Sequence, residues 1–156
     1  MKFKKAKRSR QFKMLSISPY LLTPILGWIA AQGVKYAIAM IKTRDRGTFR
    51  SIYLSGGMPS SHSSTVVSLA VFIGLFHGVE SALFGISALL AAVVMYDAVM
   101  VRRSVGEQGQ AIHELIAKTL TGVRLPHAAK GHTPLEVLMG GVVGTAVGLV
   151  VFLATI

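Results

Sequence analysis

Four stretches of the chain are almost uninterrupted in apolar residues: 17–41, 65–78, 81–101 and 133–156. Polar and charged residues gather between them. The pattern predicts helices, because a membrane crossing takes ~20 apolar residues in a form that satisfies its own backbone. The second stretch is short, but with the Ser-rich turn at 60–64 it reaches crossing length. The linker His77-Gly78-Val79-Glu80 is brief, so the second and third helices should lie antiparallel. The first stretch holds Pro19, Pro24, Gly27 and Gly33. It reads either as one kinked crossing or as a hairpin broken near Pro24.

Between the third and fourth stretches, residues 104–121 are less apolar. Ala111, Ile112, Leu115, Ile116 and Leu120 recur at helical spacing opposite Glu107, Glu114 and Lys118. This predicts an amphipathic helix lying on the membrane or capping the bundle. In the last stretch Thr133 suits an N-cap and Pro134 a first helical position. Gly140, Gly144 and Gly148 form a stripe of small residues for close helix approach. The expected fold is all-α: a small polytopic membrane helix bundle with about four crossings plus an amphipathic interfacial helix.

Composition strengthens the membrane reading. The chain has 156 residues, is 52% hydrophobic and only 15% charged, and its mean hydropathy is +0.58. That suits a single domain, 15–156, behind a basic tail, 1–14. There is no cysteine, which excludes disulfides, thiolate catalysis and cysteine-ligated metals. The net charge of +11 is concentrated first in the tail, with seven cations and no acid before residue 14. Such a tail suits anionic lipid headgroups. No aromatic platform accompanies it, so nucleic acid is not an expected partner. The first apolar stretch is long and lacks a small-x-small site, so it is expected to stay as an anchor.

Following each crossing in turn places the polar motifs at one end of the bundle. The segment Gly-Gly-Met-Pro-Ser-Ser-His-Ser-Ser at 56–64 opens the second helix. Asp97, Arg102 and Arg103 end the third, and His132 and Glu136 open the fourth. Lys35, Asp97 and Glu136 each interrupt an apolar run near that end, and ionisable residues in such runs tend to mark function. His132 and Glu136 are four apart and can meet on one helix face. A carboxylate on one ring nitrogen makes the other a better nucleophile. His62 supplies a second imidazole as a general acid. Lys35, Lys42, Arg44, Arg102, Arg103 and Arg124 offer charge to hold phosphate. The set suits phosphoryl transfer through histidine. Capping serines and snorkelling cations are the plain alternative, and a metal on His62, Asp97, His132 and Glu136 is a third.

At these residues the sequence resembles the divergent branch of the phosphatidic acid phosphatase type 2 superfamily, related to vanadium-dependent haloperoxidases. The likeness spans about 21–148 and is carried by AQGVK at 31–35, GGMPSSHSS at 56–64, VMYDAVMVRRSVGEQ at 94–108 and GHTPLEVLMGGVVG at 131–144. The resemblance implies an all-helical membrane protein that dephosphorylates a phosphorylated lipid with no cofactor and no metal. It gives His132 the role of attacking phosphorus, Glu136 that of orienting it, and His62 that of protonating the leaving oxygen. It sets Ser60, Ser61 and Lys35 against the phosphate. Three positions depart from the family pattern. Lys42-Thr43 stands where the R-P of K-x6-R-P would fall, Ser61 where P-S-G-H has glycine, and Pro126 where S-R-x5-H has arginine. The clamping arginine is therefore displaced to Arg124, replaced by Arg102 or Arg103, or missing. The basic tail favours a cytoplasmic N-terminus, while the cations of the motif face favour the same side for that face. A multi-pass location, in the cell membrane, is expected.

Overall fold

The computed structural model of the chain describes residues 18–43, 57–119 and 131–156, and these are helical with short connections. In chain order they form α1 (Pro19–Thr43), α2 (Ser61–His77), α3 (Ala82–Tyr96), a π-helical turn (Asp97–Val101), α4 (Arg102–Thr119) and α5 (Pro134–Thr155). The basic tail and Arg124 lie outside the described residues. Among the described residues three apolar helices are long enough to cross a membrane: α1, the continuous run from α3 through α4, and α5. At 17 residues, α2 falls short of that length. Its place is the middle of the bundle, with α1, α3 and α5 packed around it.

The first stretch is one helix. Pro24 lies inside α1 without ending it, so the broken-hairpin reading does not hold. One backbone bond is forgone there, and the Thr23 hydroxyl bonds the Pro19 carbonyl in the same turn at 2.6 Å. The amphipathic stretch also departs from expectation. It does not begin after a break but continues α3 through the π-helical turn. Among the described residues its first turns pack on that turn and against 131–133 ahead of α5, where Gly131 abuts Arg103 and Gly106 is buried.

The bundle is held by two matched stripes. A Cβ added at Gly140, Gly144 or Gly148 of α5 would lie 2.3, 2.6 and 2.6 Å from the carbonyl oxygens of Ser60, Ser64 and Ser68. Both stripes repeat every four residues, so they stay in register along one helix face. Within a bilayer, packing and hydrogen bonds do the work that water would otherwise do. The serines supply the bonds: Ser64 Oγ donates to the Gly27 carbonyl at 2.8 Å and Ser68 Oγ to the Thr23 carbonyl at 3.3 Å. Gly27 answers on α1, where a Cβ would come within 2.5 Å of Ser68 Oγ. The far end is built differently, from Phe72, Ile73 and Val151 with Tyr20 and Phe84 against them. There the Tyr20 hydroxyl meets His77 Nε2 at 2.5 Å.

Candidate functional site

The site is built where α5 begins. Thr133 is the N-cap: its hydroxyl accepts the Glu136 N–H at 3.3 Å, and Glu136 Oε2 accepts the Thr133 N–H at 3.1 Å. This reciprocal capping box follows from Thr-Pro-Leu-Glu and satisfies two donors that a helix start leaves open. The same Oε2 lies 3.0 Å from His132 Nδ1. An ionised carboxylate only accepts, so Nδ1 carries the proton and Nε2 of the neutral ring keeps its lone pair. The His132 side chain is only 7% exposed, and the Glu136 contact orients its ring.

Two backbone bonds tie this corner to the rest of the bundle. The His132 N–H donates to the Ala98 carbonyl at 3.3 Å, and the Ser60 N–H to the Glu136 carbonyl at 2.8 Å. Ala98 belongs to the π-helical turn, where i→i+5 bonding replaces the usual ladder: the Arg102 N–H bonds Asp97 O. Such a turn frees a carbonyl for an outside donor, and here His132 takes it. Gly131 makes the approach possible, since a Cβ there would meet the Arg103 Cα at 2.2 Å.

The other expected residues fall around this corner at different depths. The His62 and His132 rings face each other edge-on with centroids 6.5 Å apart. His62 is exposed, with the charged side chains of Arg102, Lys35 and Asp97 in its electrostatic surroundings. Lys35 feels the Glu136 carboxylate in turn. Its chain runs beside Gly57, which adopts φ +88, a conformation that suits glycine. Arg102 Nε pairs with Asp97 Oδ2 at 2.6 Å, and Arg103 Nε with Glu107 Oε1 at 3.0 Å. Arg103 also lines a cleft of about 230 Å³ together with His132, Thr133, Gly106 and Gln110.

The serines are placed differently from expectation. Pro59 precedes α2, and Ser60 is its N-cap. Ser60 is fully buried, its Oγ accepting from the Ser63 N–H and hydroxyl. Its side chain therefore caps a helix where an anion contact was expected. Ser61 is buried at the first helical position beside His62, and a helix start leaves the first N–H groups without intrahelical acceptors. The metal alternative finds no support: no three His, Asp or Glu side chains converge as ligands among the described residues. Sequence reasoning missed the Ala98 carbonyl and the role of Gly131. The signal for the second was a glycine directly before the key histidine.

A buried, carboxylate-oriented histidine facing a second histidine at one end of an apolar helix bundle defines a membrane protein with a histidine-centred polar site. The sequence matches the Divergent PAP2 family over residues 17–147. It is also 37% identical over 145 residues to the uncharacterized membrane protein YuiD of Bacillus subtilis, covering 83% of this chain and 91% of that one. The chain belongs to the Divergent PAP2 family. No solved structure matches it.

Proposed function

We propose that this protein is a multi-pass lipid-phosphate phosphatase of the cell membrane that works through a phosphohistidine. The observation that supports this most directly is the 3.0 Å contact between His132 Nδ1 and Glu136, which leaves Nε2 as the nucleophilic nitrogen. In the first step the Nε2 lone pair attacks phosphorus and the P–O ester bond breaks. Protonated His62 gives its proton to the leaving oxygen. In the second step water attacks the phosphohistidine, neutral His62 takes a proton from it, and the P–N bond breaks to release inorganic phosphate. Lys35, Arg102 and Arg103 supply positive charge for the transferring group. Ser61 presents the start of α2 to it.

A second reading has its own support. Arg102 and Arg103 each pair with a carboxylate on their own helical run. A site whose arginines stay so paired would bind an anionic headgroup without turning it over. Rapid quench with a radiolabelled lipid phosphate separates the two. The enzyme reading expects an acid-labile, alkali-stable label on His132 and multiple turnovers of phosphate, both lost in His132→Ala. Saturable lipid-phosphate binding with no label and no release establishes the binding reading instead.

A further inference from the structure

An apolar groove runs between α3 and α5 below the polar end of the bundle. Its walls and floor are Val67, Met95, Leu138, Val142, Thr145 and Ala146, with Gly141 beside them, and its volume is about 510 Å³. It exists because α3 and α5 both pack on α2 and draw together at the π-helical turn. On each helix a lining residue sits within about a turn and a half, along the axis, of a polar residue of the site. Met95 lies two residues before Asp97, Leu138 two after Glu136, and Val67 five after His62. From Leu138 to Ala146 the groove follows α5 for ~12 Å, at ~1.5 Å per residue. It thus runs from the ionisable end toward the membrane interior. A Cβ added at Gly141 meets nothing within 4 Å, so the groove is open space at that point.

From this juxtaposition we infer that the groove seats one hydrocarbon chain of the substrate, making the site selective for single-chain lipid phosphates over two-chain ones. The inference rests on the phosphatase reading and adds the class of lipid. The occupant follows from charge and direction. The groove is apolar along its length, and along α3 and α5 it reaches to within a turn of Asp97 and Glu136, at the end of the bundle that carries Arg102 and two histidines, which suit a phosphate. A chain lying in it therefore carries its headgroup toward the polar end where His132 sits. Hydrophobic burial does not drive this seating, because bilayer tails are as apolar as the groove. What the groove supplies is placement, and it is one cleft between two helix walls. The second chain of a diacyl lipid would have to straddle α3 or α5, pulling the shared headgroup off the axis of the groove.

The test uses the full chain in lipid nanodiscs and a non-hydrolysable single-chain alkyl phosphonate with a mid-chain diazirine. Photolabel should concentrate on Val67, Met95 and residues 138–146. Gly141→Leu, which fills open space, should cut that labelling about tenfold with the thermal midpoint held. A single-chain alkyl phosphate should displace the probe at about a tenth of the concentration needed for a diacyl phosphate. Three outcomes overturn the inference: label spread evenly over the lipid-facing sides of α1 and α3, labelling indifferent to Gly141→Leu, or equal competition by the diacyl phosphate. Cross-linking between copies through a cysteine placed at Leu138, unique in this cysteine-free chain, would also overturn it by giving the groove to a second protomer. Phosphate release from a cleavable single-chain phosphate is measured in parallel. Groove labelling without release sinks the phosphatase reading alone, and release without groove labelling sinks the groove alone.

Discussion

Two helix starts meet at the polar end of this bundle, and they are built to opposite standards. At the start of α5, His132 is buried and held by Glu136 through its ring and by Ala98 through its backbone. Glu136 is itself fixed by the Thr133 N–H, and its carbonyl takes the Ser60 N–H. At the start of α4, Arg102 and Arg103 are about half exposed, and each pairs with one carboxylate. The first arrangement fixes a nitrogen in position. The second keeps two charges nearby on long, movable stems. Phosphoryl transfer uses both: an attacking atom that must not wander, and cations that close on a charge as it arrives.

The largest break in this comparison is His132→Ala. Removing the nucleophile should lower phosphate release by at least ~10³-fold. The fold should persist, since the capping box of Thr133 and Glu136 remains. Release at the wild-type rate would end the proposed mechanism. Glu136→Gln is the sharper cut. Glutamine also completes a capping box, so thermal stability should change little. Its amide does not favour the imidazolium or fix the tautomer as a carboxylate does, and the rate should fall about 10²-fold. Loss of stability without loss of rate would make Glu136 a cap and nothing more.

Gly140→Ala asks whether the corner depends on the helix seam behind it. A methyl there would press to 2.3 Å from the Ser60 carbonyl. The helices must part, at a cost of roughly 2 kcal/mol, and Ser60 must shift against the Glu136 carbonyl it bonds. A lower thermal midpoint is expected together with reduced release. Gly141→Ala, with open space at its Cβ, is the matched control and should leave the midpoint where it was. Equal midpoints for the two variants would mean that the stripe does not carry the packing.

Much of this was legible in the sequence. Thr-Pro-Leu-Glu states the capping box, and His132 to Glu136 states the pair, because both depend on spacing across one helix start. The four-residue glycine stripe announced a close contact but not its partner. The partner was a second stripe, Ser60, Ser64 and Ser68, and the same serines could equally have lined an anion site. Only packing decides, since a serine hydroxyl bonds whatever carbonyl comes near. The π-helical turn was invisible for a related reason. Val99, Met100 and Val101 fit an α-helix as well, and the extra residue is absorbed where His132 from another helix needs a carbonyl. The likeness of chemistry between Arg102 and Arg103 hid their different partners, Asp97 and Glu107, and Arg124 lies outside the described residues.

The smaller predictions probe the rim. Arg102→Lys keeps the charge and loses the planar fork. If Arg102 leaves Asp97 to hold phosphate, KM should rise about fivefold with kcat nearly kept, since the contact is made in ground and transition states alike. A matching fall in kcat would place Arg102 on the transition state, and no change in either would leave it a partner of Asp97.

The smallest effect belongs to Glu107→Gln. An exposed i,i+4 pair contributes only ~0.3–0.5 kcal/mol, so stability should barely move. Yet the change releases Arg103, which shares a cleft with His132. A freed guanidinium beside an arriving phosphate should help or do nothing: kcat/KM unchanged or raised by up to about twofold, and more at low salt than at high, as screening requires. A tenfold fall would mean that Glu107 holds Arg103 in a working position. The start of α4 would then be as tightly specified as the start of α5, and the contrast between a fixed nucleophile and a movable rim would fail.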